Sequence, residues 1–94
     1  MSPEDIRKEA IEYLTARGAE RISLFGSFAR GDTGPGSDLD VLVEFSDRKS
    51  LLELVRLERE LSERLGVTVD LLTVKSISPR LMERIREDME VIYG

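Results

Sequence analysis

The reading of this chain turns on residues 21–45, RISLFGSFARGDTGPGSDLDVLVEF. Arg21-Ile22-Ser23-Leu24-Phe25 has the β-branched and aromatic content of a short strand. Gly26 to Ser37 then reads as a loop with room for one helical turn, because it holds Gly26, Gly31, Gly34, Pro35 and Gly36. Asp38 to Phe45 is the strongest strand in the chain. Leu39, Val41, Val43 and Phe45 alternate onto one face, and Asp38, Asp40, Leu42 and Glu44 onto the other. A strand, a glycine-rich loop and a strand that opens with two carboxylates form the core of the prediction.

The flanking segments supply helices. Ser2 is an N-cap, Pro3 fits the first helical position, and Glu4 and Asp5 face the positive end of the dipole. This predicts a helix from about Pro3 to Arg17, with Ile6, Ala10, Tyr13 and Leu14 as its apolar stripe and Gly18 as its stop. Ser50-Leu51-Leu52-Glu53 fits a capping box for a second helix, with Leu54, Leu57, Leu61 and Leu65 facing the core and Gly66 ending it. Glu60 and Arg64 are spaced for an ion pair along its exposed side. Val67 to Val74 reads as a third strand. Ile77-Ser78-Pro79 opens a last helix, and Glu90 to Tyr93 is a short final strand. The order α-β-β-α-β-α-β predicts an α+β domain: a mixed sheet of three to four strands with helices packed on it. With 94 residues the expectation is a single domain, residues 1–94.

Composition narrows the chemistry. The chain has no Cys and no His, which excludes disulfides, thiolate nucleophiles, zinc fingers, histidine general bases and Ser-His-Asp triads. A metal here has oxygen ligands, which favours a hard cation such as magnesium. Fourteen basic against nineteen acidic residues give a net charge of −5, a poor balance for direct nucleic-acid binding. The N-terminal residues are polar and acidic, unlike a signal peptide, and no apolar run approaches the ~20 residues of a membrane span. A cytoplasmic protein is expected.

Asp38 and Asp40 lie two residues apart on one strand, so both carboxylates emerge on the same face, about 6–7 Å apart at the Cα atoms. Such a pair on an otherwise apolar strand is costly without a positive neighbour, and a divalent cation is the simplest neutraliser. Asp70 interrupts the apolar run Val67-Thr68-Val69-Asp70-Leu71-Leu72 with no local charge partner. With the third strand beside the second, Asp70 completes a three-carboxylate cluster. A single Asp in an acidic protein is most often a solvated surface charge, so only the three together point to a site. Gly26 lets the backbone approach a ligand, Ser27 offers a hydroxyl, and Arg30 is a cation placed to meet a phosphate. Taken alone, these three also read as a tight turn, a cap and a solvated arginine. The loop has neither the Walker A nor the dinucleotide-binding spacing.

Gly26-Ser27, ten residues and then Asp38-Leu39-Asp40 resembles the signature of the DNA polymerase beta-like nucleotidyltransferases. The whole stretch Gly26 to Asp40 is similar to the minimal members, the MNT or MntA-like antitoxins, and the likeness covers nearly the whole chain. The resemblance implies that Asp38 and Asp40 hold two magnesium ions, that Asp70 shares a metal and helps deprotonate the attacking hydroxyl, and that Gly26 and Ser27 grip the β- and γ-phosphates of ATP. Arg30 falls in the family's recurrent Ala-Arg-Gly segment. The implied activity is transfer of AMP from ATP to a tyrosine of a HEPN-domain ribonuclease toxin, with no added domain for a small acceptor. Two other functions fit the same residues. The protein neutralises the toxin by docking alone, or it modifies a small antibiotic-like molecule with a separate subunit supplying the acceptor pocket. Tyr13 and Tyr93 read as half-buried edge residues rather than as self-modified acceptors.

Overall fold

A computed structural model describes residues 2–31 and 38–94. The chain runs α1 (Pro3–Thr15), β1 (Ala19–Phe25), β2 (Leu39–Phe45), α2 (Leu51–Leu65), β3 (Val69–Thr73), α3 (Pro79–Asp88) and β4 (Glu90–Tyr93), with a single 3-10 turn at Val74–Ser76. The predicted order of elements and the α+β class are both observed. Half of the predicted loop, Asp32 to Ser37 with Gly34, Pro35 and Gly36, lies outside the described residues.

Each helix begins on a serine cap. In α1 the Ser2 hydroxyl accepts from Asp5 N–H at 3.1 Å, and the Asp5 carboxylate accepts from Ser2 N–H at 3.3 Å. Ser50 and Glu53 repeat the reciprocal arrangement in α2, and Ser78 caps α3. Such caps satisfy amides that have no partner inside the helix.

The sheet has the order β3-β2-β1-β4. β1 is antiparallel to both β2 and β4, and β2 is parallel to β3. The parallel pair needs a long crossover, which α2 provides. Alternation along β2 sends Leu39, Val41 and Val43 into one core with Ile22, Leu24, Val69 and Leu71. Helices α1 and α2 close that core with Ile6, Ala10, Tyr13, Leu14, Leu57, Leu61 and Leu65. Leu42, Ser23 and Ile85 are buried outside it, so α3, which lies against β1, covers part of the opposite face. That second face carries Asp40 and Asp70.

Several boundaries differ from expectation. β1 starts at Ala19 rather than Arg21, because Ala19 still pairs with Phe45 across an irregularity that leaves Glu20 and Arg21 both exposed. β3 stops at Thr73, one residue early. There Thr73 N–H donates to Ser76 Oγ at 3.2 Å while the Ser76 hydroxyl donates to Thr73 O at 2.8 Å, which closes the 3-10 turn. The anticipated Glu60–Arg64 pair does not form. Arg64 reaches Glu9 on α1 instead, with Nε at 2.8 Å from the carboxylate, and Glu60 accepts the Tyr13 hydroxyl. Tyr13 is therefore a buried residue of the helix seam, and Tyr93 is exposed on β4.

Candidate active site at the start of strand β2

The parallel register sets the first feature of the site. Asp40 on β2 lies directly opposite Asp70 on β3, in a ladder that runs from Leu39 with Val69 to Val43 with Thr73. Equivalent positions on neighbouring strands share a face, so both carboxylates leave the sheet side by side. Asp38 stands at the entry to β2 and is exposed. Across β1, Phe25 pairs with Asp40, so the chain turns into the loop at Gly26 immediately beside that carboxylate.

Gly26 has φ +73°. A Cβ built there would run into Oδ2 of Asp40. Glycine is required both by the left-handed backbone and by the closeness of the aspartate. The loop continues with Ser27, half-buried, and Phe28, which is buried and belongs to the main core. Arg30 N–H donates to Gly26 O at 3.2 Å and Gly31 N–H to Phe28 O at 3.2 Å. Phe28 thus anchors the loop while Gly26 and Ser27 line it next to Asp40. Arg30 Nη1 lies 2.6 Å from the carboxylate of Asp88 at the end of α3. Sequence analysis gives Asp88 no role, because nothing local connects it to a loop 58 residues away. A carboxylate at the negative end of a helix dipole is the only hint, and a weak one.

Electrostatics report the crowding. Burial, then the charge of Asp70, a hydrogen bond with Asp70 and the charge of Asp38 push the Asp40 carboxyl up to about 6, and Arg30 opposes the shift. A half-buried acid beside two others holds a proton more tightly for lack of a cation. Oxygen donors in this state suit a hard divalent ion, and Gly26 leaves open the space that a side chain would fill. The fit is chemical, and the side chains stop short of an ion cage: among the described residues no three acidic groups stand in ion-binding geometry. The structure therefore brings Asp40, Asp70 and Gly26 together and leaves Asp38 at the rim. An open cleft of about 470 Å³ lies elsewhere, at the far ends of β2 and β3, lined by residues such as Phe45, Lys49, Leu54 and Lys75. It contains none of these carboxylates.

No helix among the described residues is long and apolar enough to cross a membrane. The nucleotidyltransferase domain family matches residues 5–92. A relative from Methanocaldococcus jannaschii, named as a candidate protein adenylyltransferase, is 49% identical over 85 residues, covering 90% of this chain and 91% of its own. Among solved structures, a chain of a toxin–antitoxin complex with AMP-PNP superposes with a TM-score of 0.86 at 26% identity, over 94% of this chain and 73% of that one. A chain from the complex of a tri-AMPylated Shewanella oneidensis HEPN toxin with an MNT antitoxin shares the fold, with a TM-score of 0.82 at 22% identity over 99% and 73% of the two chains. A glycine turn packed on one of two paired strand aspartates thus sits in a chain that matches one family along nearly its whole length: the chain belongs to the nucleotidyltransferase domain family.

Proposed function

We propose that this chain acts as a single magnesium-dependent catalytic domain, an antitoxin that transfers AMP from ATP to a tyrosine hydroxyl of a HEPN-domain ribonuclease toxin. The observation that carries the reading is the register of Asp40 with Asp70, beside a Gly26 where any side chain would meet the Asp40 carboxylate. Asp38, Asp40 and Asp70 would hold the magnesium. When bound, that metal supplies neutralisation of the triphosphate and of the charge developing on the attacking and leaving oxygens. Gly26 and Ser27 receive the β- and γ-phosphates through backbone N–H and hydroxyl donors, and Arg30 adds a cation. Asp70, exposed at the edge of the site, takes the phenolic proton as the tyrosine oxygen bonds to the α-phosphorus and pyrophosphate leaves. A nucleotide substrate and a ribonuclease partner support a cytoplasmic location.

The partner assignment is supported by the toxin-bound complexes whose chains share this fold. The test is transfer of label from α-labelled ATP, with magnesium, to the product of the neighbouring gene. Label on that protein that disappears with Asp38→Ala/Asp40→Ala is the expected result. A partner that stays unlabelled while it is inhibited would replace catalysis with docking.

A further inference from the structure

We propose that Asp88 is a positioning residue of the nucleotide site, holding the Arg30 guanidinium beside the Gly26–Gly31 loop so that it meets the triphosphate already in place. The inference rests on the nucleotidyltransfer reading above and adds a residue to it. Asp88 is the last residue of α3. An acid there opposes the helix dipole, so its position calls for another reason. Arg30 Nη1 stands 2.6 Å from Asp88 Oδ2, and the side chains are 53% and 27% exposed. A pair so open to solvent contributes little to folding. It does fix where the guanidinium points.

The rest of the α3–β4 junction acts on the same loop. Two residues beyond Asp88, Glu90 receives Arg7 through Nε at 2.8 Å and Nη2 at 3.5 Å. The Arg7 guanidinium in turn lies 5.1 Å from the centroid of the Phe28 ring, the buried anchor of the loop. Asp88 and Glu90 therefore brace the loop twice, one through Arg30 and the other through Arg7 and Phe28. The Arg30 backbone is held by its N–H bond to Gly26 O, and Asp88 acts on the side chain. A guanidinium has five donors in a planar fork, so one edge stays on Asp88 while another meets a phosphate. Ordering a long side chain on binding opposes affinity, and a guanidinium already held by Asp88 meets less of that cost.

The experiment is a mutant cycle on the full chain with magnesium and ATP, reading ATP affinity by calorimetry and KM and kcat for transfer. Asp88→Asn is expected to raise the Kd and KM for ATP by about tenfold with kcat changed less than about twofold, since uniform phosphate binding is lost. Asp88→Glu should restore most of the affinity. Arg30→Ala and Arg30→Ala/Asp88→Asn should share one KM, because Asp88 acts only through Arg30. Melting temperatures identify any variant that fails to fold. An Asp88→Asn protein with unchanged KM, or additive effects in the double variant, overturns the proposal while leaving the nucleotidyltransferase reading intact. A wild-type chain that binds no ATP overturns both.

Discussion

Asp40 carries the tension of the site. Its carboxyl is pushed up to about 6 from 3.8 by burial and by Asp70 and Asp38. A raised carboxyl pKa means that the fold favours the protonated form. The associated stability is complete below 3.8 and is lost as pH rises through about 6. Ionised Asp40 therefore strains the metal-free protein at neutral pH. Asp40→Asn should raise its melting temperature in EDTA at pH 7.5 by roughly 4–8 °C, corresponding to about 1 kcal/mol after solvent screening, and should abolish transfer. The gain should vanish near pH 3.5, and calorimetric melts at the two pH values check this. Gly26 makes the opposite case. Gly26→Ala should cost about 1–2 kcal/mol from the left-handed backbone alone, and more from contact with Asp40, read as a lower urea midpoint. At this scale the sequence was legible where chemistry is local: the Asp-x-Asp spacing and the Gly-Ser turn both point to the site. Asp88 was not legible, because its partner Arg30 comes from a distant segment.

Elements were legible to the extent that periodicity and caps define them. Ile6, Ala10, Tyr13 and Leu14 all face the core, and the serine caps of α1 and α2 make their reciprocal bonds. What periodicity does not encode is the partner of a surface charge. Spacing along α2 joins Glu60 to Arg64, but packing brings α1 within reach, and both side chains turn to it. Tyr13 results as the polar bolt of the seam, its ring facing the guanidinium of Arg17 at 3.6 Å. Burial first, and then the hydrogen bond to Glu60, push its hydroxyl up to about 12. The stability tied to that proton is complete below 10 and lost as pH rises through about 12. Tyr13→Phe should lose about 0.5–1.5 kcal/mol at pH 8, since Glu60 is exposed and regains water. The variant should close the gap with wild type at pH 11. Urea midpoints at pH 8 and 11 measure both effects. Strand ends were the least legible features, because a bulge opposite Phe45 and the Ser76 turn set them, not hydrophobicity.

In the whole molecule, sheet order makes the site. Two aspartates 30 residues apart in sequence become neighbours because α2 returns β3 parallel to β2 in register. Helices α1 and α2 bury one face of the sheet, and the other face, covered only in part by α3, holds Asp40, Asp70 and the Gly26 turn. The sequence placed Asp70 in the cluster by supposing this adjacency, and the topology supplies it. It also paired Asp38 with Asp40, and the fold leaves Asp38 exposed at the strand entry, near enough for its charge to act on Asp40. Together these residues are expected to bind a magnesium–nucleotide pair. Thermal melting of wild type and Asp40→Asn, with millimolar magnesium and a non-hydrolysable ATP analogue, tests it most directly. Magnesium and the analogue together should raise the melting temperature of wild type, by roughly 2.7 kcal/mol of added stability at a hundredfold excess of ligand over Kd, and leave Asp40→Asn unmoved. An unchanged wild-type transition, or an equal shift in both proteins, would contradict it.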